Sequence, residues 1–352
     1  MQLGSAFDVS KSKVGSNIFH ANVSKLSSIR RYRVSQSRYG HFIDGFSDAV
    51  SYLQLPYHIC LQIMAGSLDV GGIGHFLKST YNSDKVVRLW TSSFVKLSVQ
   101  TIDNYETPPR SDWQKSNFSG LHYIQGITRG AHLLMAFEFY VNKGSTKEEV
   151  RGAVTAGSEL AFANGKLEDM GRYVKNISAL KIYYTKCLWG NESDVVKVYS
   201  LTSAKEVLLR YTSEASPTNG IPISVWVKKI SNLFNEAPKF SLIRDFYVNM
   251  EQAAKAYYDI KLTITAINET LKEDNPLAMQ KSLKSLRKKV MGYDKAFQNF
   301  VANLDFNRFT AKKDQFKLLR DLYWTGKYWG IPYKFYIQYR HLMVNGKTNI
   351  KG

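Results

Sequence analysis

Histidines and closely spaced glycines are the residues of this chain whose types and spacing could serve a catalytic or binding site. His122 and His132 lie ten residues apart in a segment with a strand pattern, which is a poor geometry for binding one metal ion together. The glycines Gly71, Gly72 and Gly74 are not followed by a lysine at the spacing of a phosphate-binding loop. The motifs of serine hydrolases, zinc proteases and dinucleotide-binding proteins are missing as well. The sequence therefore predicts neither an enzyme nor a cofactor or metal site.

The two cysteines could carry redox or metal chemistry, but their number and spacing argue against it. Cys60 and Cys187 are too few for a disulfide framework and too far apart in sequence for a typical metal site. Both lie in apolar surroundings, YHICLQI and KIYYTKCLW. We expect buried thiols that pack as small hydrophobic side chains.

The chain is strongly basic: its 352 residues include 48 Lys and Arg against 29 Asp and Glu, a net charge of +19. The first interpretation is the solvated surface of a basic globular protein. The second is attraction to anionic lipid headgroups, nucleic acid or acidic proteins. Basic residues cluster locally only at residues 30–38 and 281–289, and no nucleic-acid-binding motif is present. We therefore expect no specific nucleic-acid partner.

The most informative segment is residues 119–139, SGLHYIQGITRGAHLLMAFEF, which has the pattern of a central β-strand with a bend. Gly126 and Gly130 interrupt a run of β-forming residues, and glycine within a strand is typical of a bulge, a bend or a close backbone approach. After them, side chains alternate with period two, and apolar residues fall on both faces. The segment predicts a structural role rather than catalysis.

This bent strand resembles the signature of the membrane-attack-complex/perforin and cholesterol-dependent cytolysin superfamily, and within it the stonustoxin-like branch. The resemblance rests on His122, Gly126, Gly130 and residues 135–139, with Leu121 where the family has Thr. It implies an α+β fold, with a bent, twisted antiparallel sheet flanked by two helical clusters, and a packing or hydrogen-bonding role for His122. Three further segments resemble the family in the same order and spacing, namely residues 3–18, 61–77 and 220–230.

The chain changes in character near Pro238. Residues 240–304 contain almost no glycine and carry apolar residues at helical spacing. Pro276 is well placed at the start of a second helix, and Thr310 can cap a third. We expect a perforin-like domain, then a helical bundle that resembles the focal-adhesion-targeting-like domain of stonustoxins, then an aromatic-rich segment, at residues 1–237, 238–322 and 323–352.

In the superfamily, two helical clusters beside the sheet unfold into membrane-crossing β-hairpins, and two glycine-rich segments of this chain match their positions. These are residues 57–80 and 146–173, both without proline. In the second, residues alternate over enough positions for a transmembrane strand of ~9–11 residues. The same composition also suits amphipathic helices that pack closely and never unfold. The residues expected to enter the membrane are Leu61, Gly66, Val70, Gly71, Gly72, Val150, Val154, Leu160 and Phe162.

The last part of the chain is dense in aromatic residues, with eight in residues 323–339. Beside Lys327 and Lys334, such rings could lie at the headgroup level of a membrane. The simpler interpretation, which we favour, is that they pack back on the helices or on the first domain. The candidate membrane contacts in this segment are Trp324, Trp329 and Tyr333.

Two functions remain open at this stage. The resemblance implies a pore-forming toxin or immune effector that binds membranes, oligomerises and inserts β-hairpins; the alternative is a non-lytic binding or scaffold protein on the same fold. Expected partners are membrane lipids, anionic lipids among them, and either further copies of the chain or a related second subunit. The amino terminus has no secretory signal pattern, and no stretch approaches ~18 uninterrupted apolar residues. We expect a soluble chain that is secreted, if at all, by an unconventional route and associates with membranes on assembly.

Overall fold

The computed structural model divides the chain into two compact units. The first comprises the described residues of Met1–Asp44, Val70–Phe76 and Asp84–Phe240, and the second those of Gly45–Asp69, Leu77–Ser83 and Ser241–Gly352. The described β-strands all lie in the first unit, whereas long helices make up most of the second. The structure describes residues 2–9, 13–19, 23, 27–68, 72–81, 85–103, 110, 112, 122–164, 167–186, 195–214, 220–233, 245–304 and 331–348.

The first unit is built on one sheet, whose described strands number eight and pair only antiparallel. The strand order runs β2-β1-β5-β4-β3, and β6 and β8 also pair with β5, while β7 pairs with β6. Three strands, namely β3, β4 and β5, are much longer than the others. The strands are β1 Ser5–Asp8, β2 Lys13–Asn17, β3 Ser27–Phe42, β4 Val86–Ile102, β5 His122–Val141, β6 Ile177–Thr185, β7 Val196–Val198 and β8 Ile221–Lys229.

Strand β5 is the centre of the sheet. It pairs with β4 along one side, from Gly126 to Tyr140. On its other side, β8 pairs with the first half of β5 as far as Gly130, and β6 pairs with the second half from Leu134 onwards. Consecutive side chains such as Leu133 and Leu134 are both fully buried. The predicted central strand, covered on both faces, is therefore present.

One irregularity in the pairing of this strand lies beside Gly130. The register between β4 and β5 shifts between Lys96 and Ser98, directly beside Gly130, as expected for a β-bulge. A Cβ atom at Gly130 would overlap the carbonyl oxygen of Val95 and lie 2.8 Å from Cδ1 of Ile223. The close approach of the Val95 backbone is the physical reason for glycine at this position.

The second glycine of the predicted bend has more room. A Cβ atom at Gly126 would lie 3.2 Å from Cγ2 of Thr101 and 3.5 Å from the carbonyl oxygen of Gln100. The neighbouring threonine side chain can yield by a few tenths of an ångström, whereas a backbone carbonyl cannot. The two glycines therefore differ in how strongly the fold requires them.

We expect Gly130→Ala to lower the free energy of unfolding by about 1–3 kcal/mol or more, because the added methyl group overlaps a backbone carbonyl. Gly126→Ala is the matched control. It should change stability by less than about 1 kcal/mol, since alanine disfavours a strand less than glycine does. Urea denaturation followed by circular dichroism measures both values, and equal losses would contradict a steric role specific to Gly130.

Three helices cover one face of the sheet, namely α4 Lys147–Asn164, α5 Leu167–Tyr173 and α6 Leu201–Glu214. Helix α4 starts with a capping box: the Thr146 hydroxyl accepts the Glu149 N–H at 3.2 Å, and the Glu149 carboxylate accepts the Thr146 N–H at 3.0 Å. This local signal favours a helix in a glycine-containing segment. The buried side chains shared by the helices and the sheet include Leu89, Met135, Phe137, Phe139, Val150, Val154, Leu167, Met170 and Ala204.

The second unit is helical. Tyr257 stacks on Phe297, with ring centroids 4.9 Å apart, and its hydroxyl donates a hydrogen bond to Oδ1 of Asp294 at 2.8 Å. Phe46 stacks on the next tyrosine, Tyr258, at 4.8 Å. These contacts join the early helices of the chain to the late ones. The helices are α1 Phe46–Leu53, α2 Tyr57–Ala65, the end of α3 Gly72–Ser79, α7 Asp245–Thr270, α8 Leu277–Ala302 and α9 Ile331–Thr348.

The predicted fold class is confirmed: the chain has an antiparallel central sheet flanked by helices and followed by carboxy-terminal helices. Helix α8 begins directly after Pro276 and runs through Gly292 without interruption. The helix expected from Thr310 lies outside the described residues. Helices α1 and α2 group with the carboxy-terminal helices, and the division at residues 237 and 322 stays a prediction.

Candidate functional site

The candidate site is the end of the sheet at which two long helical connections leave it. Strand β3 ends at Phe42 and β4 begins at Val86, while β5 ends at Val141 and β6 begins at Ile177. Val86 pairs with Tyr140, and Val141 pairs with Ile177, so these strand ends lie side by side. The first connection, residues 43–85, contains α1, α2 and α3, and the second, residues 142–176, contains α4 and α5.

The second connection packs on the sheet through α4 and α5. Val150 and Val154, two of the residues expected to enter a membrane, are 1% and 0% exposed and belong to the core beneath α4. Leu160 and Phe162 also lie on α4, but their side chains are outside the described residues. The segment expected to form a strand in the membrane is therefore a helix here, with its valines turned to the sheet.

A small cluster of charged side chains lies at the start of α4. The Arg151 guanidinium pairs with the Asp44 carboxylate and lies over the Phe42 ring, 4.5 Å from its centroid. Lys147 lies 3.8 Å from the same carboxylate. The side chains of Arg151 and Asp44 are 41% and 46% exposed, so such pairs contribute only about 0–1 kcal/mol each. Apolar packing, and not charge, holds the second connection in place.

The first connection includes the other residues assigned to the membrane. Leu61 lies on α2 and is fully buried, and Gly66 ends this helix in the left-handed conformation, φ 76°. Val70 and Gly71 lie outside the described residues.

Burial raises the pKa of the Cys60 thiol, also on α2, to about 12, so this thiol is protonated and unreactive at neutral pH. Cys60 is thus the buried thiol that the sequence predicts; Cys187 is outside the described part of the chain.

Helix α3 begins at a close contact with the sheet. A Cβ atom at Gly72 would lie 2.7 Å from the Cβ atom of Thr185 on β6, so only glycine fits without a shift. One turn later, Phe76 packs edge-on against Trp90 of β4, with ring centroids 5.4 Å apart. Phe76, Trp90 and Thr185 are all fully buried. Steric fit therefore holds the start of α3 on the sheet.

A buried charged network lies on the sheet beside the start of α3. Nε of Arg88 on β4 is 3.3 Å from Oε1 of Glu138 on β5, and the two side chains are 2% and 7% exposed. The Tyr183 hydroxyl donates to the same carboxylate oxygen at 3.0 Å, and the Tyr140 hydroxyl donates to the other at 3.0 Å. His75 of α3 packs edge-on against the Tyr183 ring at 4.8 Å. The network connects β4, β5 and β6 at the position where α3 packs.

This network could not be read from the sequence. Arg88 and Glu138 are 50 residues apart, and only the sheet register makes them neighbours. The one available signal was a carboxylate within the apolar run LLMAFEFYV, because a buried carboxylate requires a partner.

Of the two histidines near the predicted bend, His122 is buried and His132 is half-buried. His122 pairs with Phe7 of β1 and with Lys229 of β8 at the start of β5, and burial, followed by the charge of Lys229, lowers its pKa. Burial, followed by the charge of Arg38, lowers the pKa of His132 to about 4. Ten residues of strand place the two rings roughly 33 Å apart, so they cannot share a metal ion.

The aromatic carboxy-terminal segment is described only from residue 331. Tyr333, a candidate membrane contact, is 56% exposed on α9, whereas Trp324 and Trp329 lie outside the described residues. Phe335 packs against Tyr293 of α8, with centroids 5.1 Å apart, and the Tyr339 hydroxyl lies 2.9 Å from that of Thr270. Some of the rings thus pack back on the helices, as the simpler interpretation expects, and Tyr333 does not.

Two further findings concern metal binding and membrane-spanning helices. Within the described residues, no three His, Cys, Asp or Glu side chains are grouped so that they could hold a metal ion. None of the helices described by the structure combines the length and apolar character needed to span a bilayer.

Comparisons with known proteins give matches only among solved structures. No family model matches the chain, and no curated protein matches it. The stonustoxin structure is 13% identical to this chain. The match covers 92% of this chain and 40% of the stonustoxin chain, with a TM-score of 0.46. A protein with a MAC/Perforin domain from Bacteroides thetaiotaomicron is 12% identical over 72% of this chain and 59% of its own, with a TM-score of 0.37. Pneumolysin is 11% identical over 58% of this chain and 41% of the pneumolysin chain, with a TM-score of 0.36.

The chain spans less than two thirds of the length of each of these three structures. At these identities and TM-scores the likeness concerns the fold and says nothing of activity.

Proposed function

We propose that this protein is a pore-forming toxin or immune effector, which binds membranes, oligomerises and converts its two helical connections into β-hairpins. The observation that carries the proposal is the placement of both connections at one end of a four-strand antiparallel array, β3-β4-β5-β6. Each connection joins two strands that are neighbours in the sheet and antiparallel: the first joins β3 to β4, and the second joins β5 to β6. Straightening it would lengthen these strands beyond the same edge and form a hairpin.

The connections are long enough for this conversion. A hairpin that spans a bilayer needs two strands of ~9–11 residues, and residues 43–85 and 142–176 each exceed this length. In the second, small residues such as Gly152 and Gly157 separate the apolar ones, and glycine permits both helical and extended backbone. Residues 57–80 and 146–173 are the segments that would enter the membrane.

The membrane has to compensate for the loss of the present packing. If α4 and α5 left the sheet, Val150, Val154, Leu167 and Met170 would lose their buried surroundings. Exposure to water costs about 1.5–3 kcal/mol for each such side chain, so roughly 6–12 kcal/mol in all. This is comparable to the stability of a whole domain. Conversion is therefore coupled to lipid contact, which returns the apolar side chains to an apolar medium.

Assembly requires an available strand edge, and β3 supplies one in the described sheet. It is 16 residues long and lies at the end of the strand order, where one side carries no described partner strand. Such an edge can pair with a strand of another chain. Ile29 and Val34 on this strand are 58% and 54% exposed. We propose a second copy of the chain, or a related subunit, as the partner at this edge.

Attachment to the membrane precedes conversion in this scheme. The net charge of +19 favours anionic headgroups. Tyr333, exposed on α9, is proposed to lie at the headgroup level, together with Trp324 and Trp329 from the preceding segment. Before attachment the protein is soluble, and it becomes membrane-associated on assembly.

We expect the purified protein to release dye from vesicles that contain anionic lipid, because attachment increases its concentration at the surface. Leakage should fall as salt is raised, since the Debye length shortens, and electron microscopy of the vesicles should show rings. Vesicles of neutral lipid alone are the control. If neither leakage nor rings occur with any lipid composition, the non-lytic binding or scaffold function replaces this proposal.

A further inference from the structure

Helix α8 of the second unit presents four lysines on one side. Their spacings of three, four and seven residues place Lys281, Lys284, Lys288 and Lys295 along a single line of the helix. All four are exposed, and the line is about 21 Å long. We call it the lysine stripe. The buried residues Leu283, Leu286, Val290 and Phe297 occupy the opposite side of α8.

Helix α8 itself supplies no acid that compensates the lysine stripe. The only acidic residue of α8 is Asp294, which is bound to Lys261 at 2.7 Å and to the Tyr257 hydroxyl at 2.8 Å. Within the described ranges, no ion pair engages the four stripe lysines, in contrast to Lys255 on α7, which pairs with Glu251 at 2.6 Å. Like charges three and four residues apart destabilise a helix. The stripe therefore weakens the isolated protein slightly and is suited to an anionic partner.

Two exposed apolar side chains lie in the same line. Leu277, four residues before Lys281, is 67% exposed, and Met291, four residues before Lys295, is 41% exposed. These are the large hydrophobic residues of α8 that are most open to water. A surface that combines lysines with exposed apolar side chains fits a lipid headgroup layer, where ammonium groups meet phosphates and apolar tips reach the acyl boundary.

The chemistry of the stripe favours lipid over nucleic acid. Single-stranded nucleic acid is bound by exposed aromatic rings on which bases stack. The three aromatic residues of α8 do not form such a platform beside the stripe: Tyr293 packs against Phe335 at 5.1 Å, and Phe297 stacks on Tyr257 at 4.9 Å. Phe300 is half-buried and lies off the line of the stripe.

We infer that the lysine stripe, with Leu277 and Met291, is the surface by which this protein attaches to membranes containing anionic phospholipid. The inference rests on the proposed function, since it identifies where the membrane contact of that function lies. The stripe supplies most of the attachment that depends on charge, and it does so from a helix that takes no part in the conversion to hairpins. Each lysine near an anionic membrane raises the partition coefficient of the protein onto that membrane about fivefold. Four lysines therefore raise it by a factor on the order of several hundred.

The test compares two charge-matched variants of the full chain. One carries Lys281→Gln, Lys284→Gln, Lys288→Gln and Lys295→Gln. The control carries the same substitution at four exposed lysines of the first unit, Lys13, Lys143, Lys197 and Lys229. Cosedimentation with vesicles of phosphatidylcholine and phosphatidylserine measures partitioning, and thermal unfolding checks the fold.

We expect the stripe variant to lose on the order of a hundredfold or more in partitioning and to unfold at the same or a higher temperature, because repulsion along α8 is relieved. The control should lose less than about tenfold. Equal losses in the two variants would mean that net charge alone attracts the protein, and would overturn the inference. So would unchanged binding of the stripe variant, or failure of the wild-type protein to bind these vesicles.

Two further experiments distinguish this inference from nucleic-acid binding and from a role of α8 in pore formation. A fluorescent single-stranded oligonucleotide serves as the competing ligand: if the stripe substitutions weaken its binding more than that of the vesicles, the partner is nucleic acid and the lipid assignment is wrong.

In the second experiment, histidine-tagged proteins are attached to vesicles through a nickel-chelating lipid, so that attachment no longer requires the stripe. The stripe variant should then leak dye as the wild-type protein does. Loss of leakage in the tethered stripe variant alone would show that α8 acts in pore formation, and would overturn a role limited to attachment.

Discussion

A disulfide between positions 72 and 185 should abolish dye leakage under oxidising conditions while the soluble protein remains folded. The start of α3 lies directly on β6, since a Cβ atom at Gly72 would be 2.7 Å from that of Thr185. Disulfides require about 3.5–4.5 Å between Cβ atoms, so Gly72→Cys with Thr185→Cys needs a shift of roughly 1 Å. The bond would fix the first connection to the sheet, and the connection has to leave the sheet before it can form a hairpin.

The measurement is the leakage rate before and after reduction with dithiothreitol. We expect at least a tenfold lower rate for the oxidised protein and recovery on reduction. All proteins in the comparison should carry Cys187→Ser, because Cys187 is two residues from position 185 and could form the wrong bond. Each single-cysteine variant is a control for the strain of substitution. An oxidised protein that leaks at the reduced rate would show that the start of α3 stays on the sheet during any membrane activity.

Substitution of Glu138 should have the largest effect on stability. Glu138→Ala removes the carboxylate from a buried guanidinium and from two tyrosine hydroxyls that donate to it. Loss of one partner from a buried ion pair costs about 3–5 kcal/mol, because the remaining charge is poorly solvated. Glu138→Gln should cost less, since the amide oxygen still accepts a hydrogen bond from a tyrosine. Urea denaturation gives both values.

A double substitution tests whether the pair itself is responsible. Arg88→Met combined with Glu138→Met removes both charges and fills a similar volume, so we expect much of the lost stability to return. If the double variant is as unstable as the sum of its single variants, the two residues act independently, and the effect of Glu138→Ala is one of packing alone.

The network also affects how the proposed conversion would proceed. Tyr183 connects Glu138 to His75 of α3 through a ring contact of 4.8 Å. A conversion that removes α3 therefore removes the ring contact between His75 and the tyrosine that donates to Glu138. The sheet itself has to remain intact, because β4, β5 and β6 are the strands from which the hairpins would extend.

Features that depend on short stretches of chain were determined by the sequence alone. The period-two pattern after Gly130 predicts the buried β5, because alternation in a strand reports which faces are covered. The apolar spacing before and after Pro276 predicts α7 and α8, and the observed helix begins at Leu277. The positions of Lys281, Lys284 and Lys288 on one side of α8 also follow from helical geometry alone.

Features that join distant residues were decided only by the tertiary structure. Register places Arg88 beside Glu138, and the need for glycine at Gly72 depends on Thr185, more than a hundred residues later in the chain. Gly126 and Gly130 look equivalent in the sequence, yet only at Gly130 would a Cβ atom overlap a backbone carbonyl. The sequence encodes local conformation in each residue's own preferences, whereas strand register and close packing arise from the simultaneous burial of many side chains. For this reason the segments of the candidate site were predictable, and the contacts that hold them were not.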